Sequence, residues 1–227
     1  MALNLDFSIV LDRWPSLLDG AVLTLELAIT ATLVGGVVGV LGAIGRRSHN
    51  PLISRPWAAY VDAVRNTPLL VQIFLVYFGL SSLGFQISAI AVAALSLTIN
   101  VGAYTTEIIR AGFDSVPRGQ IEAGEGLGLS PAQIYWHVVL VPALERVYPS
   151  LTSQFVLLML ASSVTSQISA EELTAVANYI QSDTYRAFET YIVVALIYVV
   201  LSLVMRAGFF ALGQVIFPRR RRLGTAI

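Results

Sequence analysis

Long charge-free apolar stretches set the pattern of this chain. Leu27 to Gly45 carries no charge, and its apolar register extends outward through Gly20-Ala-Val-Leu-Thr-Leu25. Asn66 to Thr106 is uncharged throughout and too long for one helix; Gly79-Leu-Ser-Ser-Leu-Gly84 offers the natural break. Val147 to Ala170 gives a fourth stretch and Thr190 to about Phe210, with Arg206 its one charge, a fifth. A helix needs about 20 mostly apolar residues to cross a bilayer. The pattern therefore predicts an all-α membrane protein with five transmembrane helices, at about 19–45, 57–80, 87–111, 143–166 and 188–210.

Composition agrees with a lipid environment. Apolar residues make up 56% of the chain and charged residues only 12%, against about 25% charged in soluble domains. The mean hydropathy is +0.75. No stretch reads as a linker or a soluble module, so residues 1–227 are expected to form a single transmembrane domain.

Arginine placement predicts the orientation. Arg46, Arg47 and Arg55 flank the loop between spans one and two, Arg110 and Arg118 follow span three, and Arg219 to Arg222 follow span five. The other side holds Arg13 and Arg186 among Asp6, Asp12, Asp19, Glu171, Glu172 and Asp183. The N-terminus is expected outside and the C-terminus in the cytoplasm of a bacterial inner membrane. No positive n-region precedes the first apolar run, which reads as a retained helix. The arginine tail reads as a topology anchor near anionic lipid.

Much chemistry is excluded. All 14 basic residues are arginine, so a P-loop lysine or Schiff base is impossible, and the absence of cysteine removes thiol nucleophiles and thiolate metal sites. His49 and His137 begin no metal-spacing motif. A net charge of zero gives no field for nucleic acid. No catalytic residue, metal site or cofactor is expected in this chain. An intramembrane hydrolase would want a serine paired with histidine or lysine, or two intramembrane aspartates. A self-sufficient secondary transporter or channel is the strongest rival; it would want broken spans in matching halves, and no internal repeat is evident.

The loop at about 115–135 is the only long cytoplasmic insertion between spans. A short helix can start after Pro117 and end at Gly128. Ser130 then fits an N-cap, Pro131 the first helical position, and Gln133 completes a capping box. Two short helices around a tight glycine turn make a rigid knob.

Glu122-Ala-Gly124 followed by Gly128 closely resembles the EAA coupling motif of ABC-importer permeases. Gly119-Gln120 and Leu129-Ser130, Arg65-Asn-Thr-Pro-Leu-Leu70 with Tyr77-Phe-Gly79, and Tyr104-Thr-Thr-Glu107-Ile-Ile-Arg110 resemble the polar amino-acid subfamily, as do Pro149-Ser-Leu-Thr152 and Ser162-Ser163…Glu172-Leu173. The likeness covers roughly residues 20–215. It departs at Gly124, where the family has alanine, at Leu140-Val-Pro142, where the proline stands one residue late, and at Leu160-Ala-Ser-Ser163, where many relatives carry a lysine.

The resemblance implies a type I importer permease whose residues Gly119, Gln120, Glu122, Ala123, Gly124 and Gly128 dock an ATP-binding cassette ATPase. ATP and Mg2+ would be bound by that ATPase. It also implies a second permease copy or a sister permease, and an external solute-binding protein whose contacts could include Glu171, Glu172 and Asp183.

Charges near spans need protein or water around them, because a central charge costs about 2.5–3.5 kcal/mol to insert. Asp62 with Arg65, and Glu107 with Arg110, are spaced i, i+3 and can pair locally. Glu26, Arg65, Thr67, Gln72, Asn100, Glu107, Gln154, Ser162 and Ser163 are candidates for a substrate pathway or gate. Interfacial snorkelling or a buried hydrogen bond is the plainer account of Glu26, and helix–helix hydrogen bonds account for the amides, Gln167 included. Gly35-Gly36, Gly39 and Gly42 form a small-residue face suited to close packing.

Overall fold

The structure, a computed structural model, describes residues 5–217; the arginine cluster Arg219 to Arg222 lies outside the described residues. Among those residues all regular secondary structure is helical. Its elements are α1 (Ser8–Leu11), α2 (Trp14–Arg46), α3 (Pro51–Arg65), α4 (Leu69–Ser82), α5 (Ala89–Asp114), α6 (Arg118–Gly126), α7 (Pro131–Gln133), α8 (Val141–Ala161), α9 (Leu173–Thr184) and α10 (Ala187–Ile216). A π-helical stretch, Ile134–Leu140, joins α7 to α8, and a 3-10 stretch, Ser162–Ile168, follows α8. Four helices are each long and apolar enough to cross a membrane: α2, α5, the rod Pro131–Ile168, and α10.

The second span differs from expectation. Residues 57–80 do not form one helix; α3 and α4 meet at a bend of 112°. Pro68 explains it, since it has no N–H to donate and its ring disfavours helical backbone at Thr67. The freed carbonyls are taken locally: the Asn66 amide donates to the Asp62 oxygen at 2.7 Å, and the Thr67 hydroxyl to Ala63 at 2.9 Å.

The fourth span starts earlier than expected. The Ser130 capping box opens α7, but α7 continues through the π stretch into α8, so the second half of the knob is the foot of a 38-residue rod. Pro142 sits where the wide turns end.

The core is built on α2 and α5. Gly35, Gly39 and Gly42 of α2 are buried against α5, where Val101, Thr105 and Thr106 lie so close that a Cβ on any of these glycines would fall 2.2–2.3 Å from a side-chain atom. Gly45 is filled by the Trp57 ring of α3. Gly36 does not belong to this face: a Cβ there meets nothing within 4 Å. Around that pair, Leu27, Ala31, Ile73, Leu97, Val101 and Leu158 knit α2, α4, α5 and α8 together. A second cluster, including Leu17, Ala28, Met159, Leu173 and Ala177, ties α9 and α10 to α2 and α8. Apolar side chains of α10 such as Leu196, Val199, Leu203 and Phe210 remain exposed, as expected of a helix facing lipid or another subunit.

Candidate functional site

At one end of the bundle α6 stands clear of the spans. Pro117 supplies its N-cap position and Gly128, at φ +73°, ends it. The Gly128 N–H donates to Glu125 and the Leu129 N–H to Gly124, at 2.9 and 3.1 Å, which is the paired bonding of a Schellman stop. Ser130 then caps α7: its hydroxyl accepts from the Gln133 N–H at 3.4 Å, and the Gln133 side chain accepts from the Ser130 N–H at 2.9 Å. Gly119, Gln120, Glu122, Ala123 and Glu125 are exposed, whereas Gly124 is buried against Ile134. A cleft of about 1000 Å³ runs beneath α6, lined by residues that include Arg47, Phe113, Ile121, Leu129 and Tyr135. The arrangement is a short, stiff projection with a polar outer face and an apolar underside.

A charge cluster fastens the bundle just above it. Glu107 of α5 binds Arg46 of α2 at 2.7 Å and Arg110 of its own helix, with Arg65 of α3 at 3.9 Å. Asp114 takes Arg110 at 2.6 Å and Arg47 at 2.8 Å. Glu107 and Arg110 pair locally as their spacing suggests, but Asp62 and Arg65 do not. Asp62 lies 3.9 Å from Arg46, and the Arg65 guanidinium lies over the Tyr104 ring at 5.6 Å. From α8, Arg146 donates to the Ser115 carbonyl at 2.5 Å, pinning the link between α5 and α6.

The pathway candidates divide into groups. Thr67, Gln72 and Asn100 meet at the α3–α4 elbow. The Gln72 amide donates to the Val64 and Thr67 carbonyls at 2.7 and 3.0 Å, and its oxygen accepts from Asn100 at 3.0 Å. Arg65 and Glu107 sit in the charge cluster. Ser162 is buried, with its hydroxyl bonded to the Met159 carbonyl at 2.6 Å, and Ser163 bonds Leu160 at 2.8 Å; both close the end of α8. Gln154 is half-buried on α8, and Glu26 is exposed on α2, apart from the elbow and the charge cluster.

Glu171, Glu172 and Asp183 also divide. Glu171 and Asp183 are exposed, and Asp183 pairs with Arg13 at 2.5 Å. Glu172 is fully buried. Its carboxylate caps α9, accepting from the Thr174 and Ala175 N–H groups at 3.0 Å each and from the Tyr198 hydroxyl at 2.9 Å. Burial pushes this carboxyl up, against the pull of those donors. Glu172 thus offers no surface to an external protein. Sequence reasoning also missed Tyr60, whose hydroxyl donates to the Ile99 carbonyl at 2.6 Å and locks α3 to α5.

The elbow gives a direct test. Gln72→Leu keeps the volume but removes the donor to the Val64 and Thr67 carbonyls, leaving Val64 only its long bonds from Thr67, and takes the acceptor from the Asn100 amide. The expected loss is about 2 kcal/mol, because such bonds are modest in membrane interiors while orphaned polar groups are costly. Thermal melting of the purified chain should fall by several degrees, and an unchanged melting curve would refute the role given to Gln72.

Comparison with known proteins gives a consistent result. The model of the family described as binding-protein-dependent transport system inner membrane component matches residues 21–221. The nopaline transport system permease protein NocM of Agrobacterium fabrum is 35% identical over 211 residues, 88% of each chain. The arginine transport system permease protein ArtQ of Bacillus subtilis is 32% identical, covering 89% of this chain and 93% of its own. The histidine/lysine/arginine/ornithine permease protein HisM of Salmonella typhimurium is 31% identical over 88% of this chain and 93% of its own. A crystal structure of an amino acid ABC transporter with histidines superposes with a TM-score of 0.86 at 34% identity, covering 93% of this chain and 99% of that one. The MetNI methionine ABC transporter shares the fold, with a TM-score of 0.73 at 20% identity over 90% of this chain and 98% of that one. On sequence and fold together, the chain belongs to the family of inner membrane components of binding-protein-dependent transport systems.

Proposed function

We propose that this chain is the membrane-spanning permease subunit of an ATP-driven ABC importer for polar amino acids, supplied by an external solute-binding protein. The observation that carries this reading is α6. It is exposed on its outer face, closed by a Schellman turn and seated on the foot of a long spanning rod, so a force applied to it reaches the membrane rather than bending a loop. The chain carries no nucleotide motif, so energy enters through α6 from two ATP-binding subunits that hold ATP and Mg2+. The exposed apolar face of α10 suits pairing with a second copy or a sister permease. Relatives named for nopaline, arginine and histidine transport support a polar amino acid as the cargo.

Affinity recovery of the tagged chain from its native membranes tests this reading. A P-loop ATPase is expected among the co-purifying proteins. Recovery of the chain alone under gentle detergent would favour a self-sufficient secondary transporter or channel instead. Orientation is tested separately, because the chain has no cysteine and any introduced thiol is the sole target. Ser182→Cys is expected to react with a membrane-impermeant maleimide in intact cells, and Ser48→Cys only after the membrane is opened. The reverse pattern would invert the topology.

A further inference from the structure

Asn100, Glu107 and Asp114 are spaced seven residues apart on α5. Seven residues fall about 20° short of two full turns, so the three side chains form one stripe with roughly 10 Å between neighbours. Each of them grips something different. Asn100 holds Gln72, and through it the carbonyls freed at the α3–α4 elbow. Glu107 holds Arg46 of α2, Arg110 of α5 and, more loosely, Arg65 of α3. Asp114 holds Arg47 and Arg110, and three residues after Ser115 the chain enters α6. A polar seam thus runs along one helix from the elbow to the projection.

Glu107 is the middle member and the only one that reaches both α2 and α3. Its contacts are unequal. Arg46 and Arg110 are at hydrogen-bonding distance, whereas Arg65 stands at 3.9 Å, stacked on Tyr104 and with 40% of its side chain exposed. Arg65 lies on the last turn of α3, just before the Asn66-Thr67-Pro68 bend. The Tyr60 bond to Ile99 holds α3 to α5 more than one turn earlier, so the loose Arg65–Glu107 contact is the ion pair nearest the bend. A linkage of this kind needs an element with two arrangements, and the inference assigns that part to the Arg65–Glu107 pair, the loosest contact of the cluster.

We infer that Glu107 is a positioning residue that couples displacement of α6 to movement of the α3–α4 elbow through Arg65. The inference rests on the importer reading given above.

The test uses the complex as recovered from membranes, reconstituted in vesicles with its ATPase and binding protein. Glu107→Gln keeps the shape and removes the charge; Arg65→Gln removes the partner; Arg65→Lys keeps the charge. Both glutamine variants are expected to recover ATPase within twofold of wild type yet to lower substrate uptake per ATP hydrolysed at least tenfold. The double variant should be no worse than either single one, as for two residues acting through one contact. Arg65→Lys should regain part of the loss. A purely structural role would lower uptake only in proportion to the complex recovered, and that outcome, or an unchanged uptake per ATP, overturns the inference. Wild-type chain that recovers no ATPase would overturn the importer reading together with it, so the two failures are distinguishable.

Discussion

Gly39→Leu is expected to leave almost none of the chain in a folded, monodisperse form. A Cβ at Gly39 would already lie 2.3 Å from the Thr105 Cγ2 and 2.5 Å from its Cβ, with the Thr106 backbone nitrogen at 3.1 Å. The Thr105 Cβ and the backbone cannot rotate away, so α2 and α5 must separate. Overpacking of even a methyl or two costs about 1–3 kcal/mol; leucine adds three more carbons at a contact from which the rest of the bundle hangs. Total stability is itself only about 5–15 kcal/mol. Gly39→Ala should be intermediate, a loss of roughly 2–3 kcal/mol. Gly36→Ala is the internal control, because nothing lies within 4 Å of its Cβ position. Size-exclusion profiles and melting curves of the three variants decide the matter. A Gly39→Leu protein that elutes and melts like wild type would mean that α2 and α5 do not cross this closely.

The glycine stripe also illustrates what the sequence could and could not reveal. Small residues on a spanning helix point to close packing, and Gly35, Gly39 and Gly42 do pack against α5. Gly36 sits one position, about 100°, away from Gly35, and only the structure separates it from the others. The break at Pro68 was written in the sequence as Thr67-Pro68, but the apolar run continues across it, and hydropathy measures burial in lipid rather than helix continuity. The opposite error occurred at the fourth span. The helix expected from 143 already crosses Glu145 and Arg146, but Ser130-Pro131 and Pro142 read as the edges of a separate knob helix, whereas the rod runs through Pro142 and back to Pro131. Arginine placement groups Glu172 with Glu171 as a contact for an external protein; glutamate is not among the favoured N-caps, so nothing local announces that it closes α9 from within. The heptad row of Asn100, Glu107 and Asp114 was legible as a spacing, but its partners come from α2, α3 and α4, far along the chain. The capping box at Ser130 and the stop at Gly128 were read correctly, since both are local and depend on a few adjacent residues.

The largest functional effect outside the core is expected at Ala123. Its side chain is exposed on α6, so Ala123→Trp creates no clash within the chain and should leave melting within about 0.5 kcal/mol of wild type. If α6 inserts into a groove of the ATPase, the same indole has to fit into a packed interface, where misplaced bulk removes several kcal/mol of binding. Recovery of ATPase should then fall at least tenfold, and uptake with it. Gly128→Val acts by a different route: φ +73° is costly for a β-branched residue, so the Schellman turn is strained and α6 loses its fixed stop. Gly124→Ala works in the other direction. It replaces glycine by the best helix former, worth about 1 kcal/mol, at a position where the new Cβ would lie 3.2 Å from Ile134. Ile134 is stiff at χ1, so it must give by a few tenths of an ångström as a whole; the exposed projection allows that shift, the helix gain prevails, and ATPase recovery should equal or exceed wild type. Equal recovery of ATPase by wild type, Ala123→Trp and Gly128→Val would show that α6 is not the contact through which energy enters, whatever its resemblance to the coupling motif.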